Sequence, residues 1–358
     1  MIGERLKLAR SAAGLSLREL ESLLAGLVSA QAIGKYERNQ MMPGSEVLIG
    51  LARALDVSED YLLREASAEL VGVEFRKQHL PSAKDRTRVE AQVLSAVERY
   101  LEIEDLLAVE PDWKLPKGFP WQVHKPEDAE VAADELRRAW KLGVDPIPNL
   151  TEFLEEKGVK IVACALENRI SGVNAKVKRD NAGEVQAIVL NSTHPGERQR
   201  FTLAHELGHL LLKASSPELI ENACNRFAGA LLMPGAALKR EMGAQRSEIS
   251  IRELFLLKST FGVSAQAVAY RCADLGIINA ALKKSVFLVF GKRGWRKSEP
   301  NPILAEKPSR FQRLCLRALS ECAISESKAA ELLGITPRQL RESLDNPPDP
   351  ENGQRPRS

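Results

Sequence analysis

The chain has 358 residues, 44% hydrophobic and 28% charged, with 51 Lys and Arg against 48 Asp and Glu and a formal net charge of +3. That length predicts two or three domains, and so even a charge balance argues against a tail-driven polyanion binder. No stretch approaches the roughly 18 apolar residues of a membrane span, Met1 is followed by mixed charge rather than a signal peptide, and the five cysteines (Cys164, Cys224, Cys272, Cys315, Cys322) show no paired metal spacing, which points to a reducing cytoplasm.

In chain order, the first 65 residues read as short helices with short breaks. Ile2, Leu6, Leu8 and Ala9 form a stripe that Gly14 stops. Ser16 caps the next helix, with Glu19 at capping-box spacing, and this helix ends near Gly26. Ser29 caps a helix from Ala30 to Arg38 with Ile33 and Tyr36 as its apolar positions. Pro43 and Ser45 open a fourth helix, Val47 to Leu55, and Ser58 starts a fifth. From 66 to about 125 the pattern stays helical, with a long amphipathic helix from Arg88 to Leu107 and then a proline-rich break. Helices resume from Glu127 to Leu142 and again up to Lys157.

The period then changes to short β-branched runs at Val159 to Cys164, Gly172 to Val177 and Val185 to Leu190, which predict a small antiparallel sheet. It leads into helices from Arg198 to Leu212 and from Glu218 to Leu232. Residues Ile249 to Leu282 are helical, Val286 to Phe290 predict a strand, and Phe311 to Leu344 predict two or three short helices. The proline-rich tail from Asn346 predicts disorder. Charge is uneven: residues 1–65 hold 8 basic and 9 acidic side chains, and residues 283–358 hold 15 and 9.

The strongest chemical signal is His205-Glu206-Leu207-Gly208-His209. On a helix, residues four apart share a face, so both imidazoles can reach one ion. Glu206 can then take a proton from water held there. A hydrolytic zinc needs a third protein ligand. Glu221 is the leading candidate, beyond a Ser215-Ser216-Pro217 break where the chain can reverse, and Cys224 is the runner-up. Cys224 also reads well as a small buried hydrophobe, Glu218 as a first-turn acid, and His194 as a solvated loop residue.

Three blocks in order closely resemble the ImmA/IrrE metallopeptidase family over residues 125–240. They are Asn191-Ser-Thr, Arg198-Gln-Arg-Phe-Thr-Leu-Ala-His-Glu-Leu-Gly-His, and Glu221-x-x-x-Asn225-x-Phe-Ala-x-x-Leu-Leu-Met-Pro234. The resemblance implies zinc bound by His205, His209 and Glu221, with Glu206 as general base for cleavage of one regulatory protein, often a repressor. Arg198, Arg200 and Tyr270 are candidates for stabilising the oxyanion.

Residues 1–65, with Ser16-Leu-Arg-Glu-Leu, Val28-Ser-Ala-Gln-Ala-Ile-Gly-Lys-Tyr-Glu-Arg-Asn and Val57-Ser-Glu-Asp-Tyr-Leu, resemble the XRE (Cro/C1-type) helix-turn-helix domain. The segment Leu23 to Val28 is two residues longer than is usual there. Ser29 would set a helix N-terminus at a phosphate, and Ala30, Gln31 and Lys35 would face the major groove. Near-neutral charge in this region favours dimeric or multidomain binding to operator DNA.

The expected class is α+β, mostly helical. Residues 1–65 are a five-helix DNA-binding domain, 66–125 a helical linker, 126–240 a zincin-like peptidase domain, 241–345 a helical region with helix-turn-helix-like segments, and 346–358 a tail. The expected function is a cytoplasmic DNA-binding regulator whose peptidase cleaves a specific protein. The alternative is an antitoxin whose metal domain mainly binds a cognate toxin.

Overall fold

Serine caps organise the N-terminal unit of this computed structural model, which describes residues 2–64, 68–74, 82–109, 113–179 and 183–345. Its helices are α1 (Ile2–Ala12), α2 (Leu17–Leu23), α3 (Ala30–Glu37), α4 (Ser45–Leu55) and α5 (Glu59–Leu63). The Ser16 hydroxyl accepts from Glu19 N while the Glu19 carboxylate accepts from Ser16 N, and Ser29 and Ser58 cap α3 and α5. Leu6, Leu20, Ile33, Leu51 and Leu62 are fully enclosed at the centre of this bundle.

The expected linker holds more than helix. Residues 68–74 form β1 (Ala68–Glu74), which joins the central sheet, and the long helix α6 (Ala83–Leu106) follows it. One stripe of α6, Val89, Val93, Val97 and Leu101, covers the sheet face made by Val173, Ala175, Val177, Val185, Ala187 and Val189. Each such buried aliphatic side chain contributes about 1.5–3 kcal/mol. Another stripe, with Tyr100 and Ile103, packs under the last helices of the chain.

The four-stranded sheet has the order β1-β4-β5-β3, with β3 (Lys160–Cys164), β4 (Gly172–Arg179) and β5 (Gly183–Asn191). It is mixed rather than antiparallel. β4 pairs antiparallel with both β1 and β5, but β3 runs parallel to β5 because the chain recrosses through the loop after Cys164 and enters β4 on the far side of β5. A small second sheet pairs β2 (Trp121–Val123) in parallel with β6 (Leu212–Ala214).

The other face of the sheet receives α9 (Gly196–Leu211), which crosses α10 (Pro217–Leu232); α7 (Asp128–Ala139) and α8 (Leu150–Glu156) flank them. Residues after 240 divide between two clusters. α11 (Gly235–Met242), α12 (Ile251–Phe261), α13 (Ala265–Asp274) and α14 (Ala280–Lys292) add to the core around α9. α15 (Arg310–Ser320), α16 (Glu326–Leu333) and α17 (Pro337–Asp345) pack instead on α6.

The expected strand Val286 to Phe290 lies inside α14. Asn279 caps that helix, and Val286 and Phe290, four apart, are its buried positions. A short continuous apolar run carries no period, so helix and strand read alike there. The expected disordered tail from Asn346 lies outside the described residues.

Candidate functional site

Helix α9 brings His205 and His209 to one side, and α10 lays Glu221 against them. His205 Nε2 and His209 Nε2 are 3.1 Å apart. Glu221 Oε2 is 3.5 Å from His205 Nε2, and Glu221 Oε1 is 3.4 Å from His209 Nε2. A tetrahedral centre with metal–ligand bonds of about 2.0–2.1 Å separates its ligand atoms by roughly 3.3 Å, so the three donors already stand at coordination distances. Two imidazoles and a carboxylate suit a divalent transition metal. Hydrogen bonding to His205 and then His209 holds the Glu221 carboxyl far below the usual carboxylate range, despite its partial burial.

Two asparagines orient these groups. Asn225, one turn after Glu221 on α10, places Oδ1 2.9 Å from His205 Nδ1. An Nδ1–H donated there would leave the Nε2 lone pair for an ion, in place of the Nε2 hydrogen bond to Glu221. Asn174 lies on β4, where alternation sends Val173 and Ala175 to α6 and Asn174 to α9. Its amide donates to Glu206 Oε2 at 2.7 Å and to the Glu206 backbone carbonyl at 3.0 Å. Glu206 is 2% exposed, so this bond fixes one edge of a nearly enclosed carboxylate. Glycine at 172 makes the approach possible, since a Cβ there would overlap the Thr202 methyl.

Cys224, the runner-up ligand, is fully buried against Gly208 where α9 and α10 cross, and lies outside the donor group. His194 is 7% exposed, with its Nε2 3.1 Å from the Asn168 carbonyl oxygen, so it braces the loop before α9 rather than standing in solvent. Arg200 does not face the site. It is buried and donates to Glu306 and to the carbonyls of Ile147 and Pro148. Arg198 and Tyr270 line an open cleft of about 870 Å³ that reaches Thr202 and Asn225.

In the N-terminal unit, Ser29 accepts from Ala32 N as the cap of α3. Gln31 and Lys35 are exposed on one side of α3, Ala30 is partly covered, and Ile33 and Tyr36 point inward. The long turn before α3 carries Ala25 and Gly26 at φ of 50° and 85°. It packs Leu27 against α4 at Gly50, where a Cβ would come within 2.7 Å of Leu27 Cδ2.

Comparison with known proteins agrees with both parts. Residues 154–273 match the IrrE N-terminal-like domain, and residues 3–67 match a helix-turn-helix domain. The chain joins a DNA-binding helix-turn-helix domain to an IrrE-like metallopeptidase domain. The IrrE-like part is 33% identical over 106 residues to the radiation response metalloprotease IrrE of Deinococcus radiodurans, covering 25% of this chain and 32% of that protein. It is 34% identical over 114 residues to the IrrE of Deinococcus deserti, covering 27% and 40%. The helix-turn-helix part is 36% identical over 69 residues to the SPbeta prophage-derived uncharacterized HTH-type transcriptional regulator YonR of Bacillus subtilis, covering 19% and 62%. The chain thus spans only about a third of the first of these relatives. No helix among the described residues is long and apolar enough to cross a membrane.

Proposed function

We propose that this protein is a cytoplasmic transcriptional regulator whose IrrE-like domain is a zinc peptidase that cleaves one specific regulatory protein, such as a repressor. The reading rests on one observation: an enclosed Glu206, clamped by Asn174, stands on the helix that carries His205 and His209, with Glu221 completing a three-donor group. A structural zinc is ordinarily closed by four protein ligands, whereas three leave a position for water or substrate. When bound, the ion supplies Lewis acidity toward water and the scissile carbonyl.

The chain's own residues supply the rest. His205, His209 and Glu221 hold the ion, and Asn225 keeps the His205 ring in the donor-ready tautomer. Glu206 takes the proton of the attacking water and returns it to the departing amine. Asn174 holds one carboxylate oxygen of Glu206 and so sets the direction in which the other accepts that proton. Substrate enters along the cleft past Arg198, Phe201 and Tyr270. Ser29, Ala30, Gln31 and Lys35 are the operator-facing residues of α3.

The deciding experiment compares wild type with Glu206→Gln in the native host under DNA-damaging or oxidative stress, reading new protein N-termini across the proteome. A product found only with wild type establishes the peptidase and names its substrate. Indistinguishable strains, both with metal bound, would sink the catalytic reading and leave a domain that binds a partner such as a toxin.

A further inference from the structure

The last two helices repeat the cap and core positions of the pair proposed to carry the DNA-reading face at the other end of the chain, with the second cap 11 residues after the first instead of 13. In the N-terminal unit, Ser16 caps α2, Leu20 four residues later is buried, Val28 is buried immediately before the second cap Ser29, and Ile33 four residues beyond is buried. In the C-terminal unit, Ser325 caps α16 and Ala329 four residues later is buried. Ile335 then packs into the same cluster immediately before Thr336, and Leu340 four residues beyond is buried. Thr336 is a second cap: its hydroxyl accepts from Gln339 N at 3.2 Å, and Gln339 Oε1 accepts from Thr336 N at 2.8 Å. Gly334, at φ 67°, makes the turn between the helices.

We propose that α16 and α17 form a second DNA-reading helix-turn-helix, with α17 entering a major groove and Arg338 and Arg341 facing guanine edges. α17 is nine residues long, and Leu340 is its one buried position. Counted from the first helical residue, Arg338 stands where the exposed Gln31 stands on α3; Arg341 takes the place of Gly34, which is buried beside Leu17 of α2, yet is itself 67% exposed, and Glu342 takes the place of Lys35. Arginine paired with guanine is the commonest specific major-groove contact. Both arginines now engage surface carboxylates, Arg338 with Glu342 at 2.8 Å and Arg341 with Glu326 at 2.7 Å. Exposed pairs of this kind add little stability, so DNA can displace them at little cost.

Two features of the whole chain give the second reader a purpose. The N-terminal domain is close to neutral, and α16 with α17 (325–345) holds 3 basic and 4 acidic side chains, whereas residues 283–317 ahead of them hold 10 basic and 2 acidic, so the phosphate attraction lies in the segment leading into the second pair. Both units are also seated on α6. Arg5 of α1 pairs with Glu98, and Gln92 donates to the Ala12 carbonyl. Beside it, Arg99 donates to the Leu332 carbonyl, Arg310 pairs with Glu104 at 3.0 Å, and Arg64 at the end of the N-terminal unit stands 3.8 Å from Glu331 of α16. A single rigid helix therefore sets the spacing between two reading heads, and the bound DNA carries two sequence blocks at a fixed separation.

The test is selection by the full-length protein from a double-stranded DNA library with a long randomised core. Wild type is expected to enrich two conserved blocks at constant spacing. R338A/R341A is expected to keep one block and lose the other, to bind the wild-type selected DNA about tenfold or more weakly, and to show a shallower salt dependence. Q31A/K35A should lose the complementary block. Both pairs are exposed, so unchanged thermal unfolding is expected in each variant. A single block for wild type, or R338A/R341A matching wild type in selected sequence and salt slope, overturns the proposal. If only Q31A/K35A leaves selection unchanged, the error lies in the reading of α3 and the second head stands. Failure of wild type to select any sequence overturns both.

Discussion

At the residue scale, Asn174 is the least expected participant. It comes from a strand 32 residues ahead of Glu206, and nothing in its local sequence marks it except that it shares the phase of Gly172. Asn174→Ala is expected to lower peptide cleavage roughly tenfold while zinc content stays at wild type, because it loosens the base without touching the metal ligands. Wild-type turnover in that variant would remove Asn174 from the machinery. The ligand set is separable by the same logic. His205→Ala or Glu221→Ala should abolish stoichiometric zinc measured by elemental analysis, and Cys224→Ala should retain it, since that thiol packs on Gly208 away from the donor group. The two histidines and Glu206 are legible from spacing alone, because one helix sets their geometry. Choosing Glu221 over Cys224 depends on how α10 is rotated, which local sequence does not specify.

At the element scale, the cleft is held by a partly buried charge cluster that joins three helices. Glu130 of α7 receives Arg271 of α13, with one bond at 2.7 Å, and Arg226 of α10 at 2.5 Å; Arg271 also donates to the Met233 carbonyl at 3.0 Å. Burial works to raise the Glu130 pKa, but hydrogen bonds and charge from Arg271 and Arg226 prevail and the net shift is downward. A carboxyl that binds its proton more weakly when folded adds stability above its ordinary value of 4.5, and that contribution fades as pH falls below it. Glu130→Gln, which leaves Arg271 facing a neutral amide while Arg226 keeps Asp274 at 3.1 Å, is expected to cost about 1–3 kcal/mol at neutral pH. The gap to wild type in urea unfolding should narrow as the solution is acidified below that value. A gap independent of pH would mean that Glu130 is not the charged member of this cluster. Helix ends at this scale follow their serine and asparagine caps closely. The elements missed include α14, whose Val286 to Phe290 run is apolar without period, and β1, in a stretch expected to be helical.

At the scale of the whole molecule, α6 is the common support for the DNA-binding unit, the sheet and the last three helices. The exposed face of α3 and the His205-His209-Glu221 group nevertheless stand on helices whose apolar sides belong to separate hydrophobic clusters. Gln31→Ala with Lys35→Ala is therefore expected to weaken sequence-specific binding by about 1–3 kcal/mol for each base-edge hydrogen-bonding pair removed, measured by titration with selected DNA, and to leave zinc stoichiometry unchanged. Unaltered affinity would displace the reading face from α3.

What the sequence determined by itself was local chemistry: serine-capped helices, a five-helix N-terminal unit, and two imidazoles and a carboxylate on one helix turn. These follow from interactions within a few residues, which a linear chain displays openly. The tertiary structure decided which distant segments meet. It drew residues 68–74 into the sheet, set β3 parallel to β5, turned Asn174 onto Glu206, and folded Arg200 away from the cleft toward Glu306. Those outcomes depend on burying whole faces of sheet and helix against one another, and no short window of residues carries that requirement.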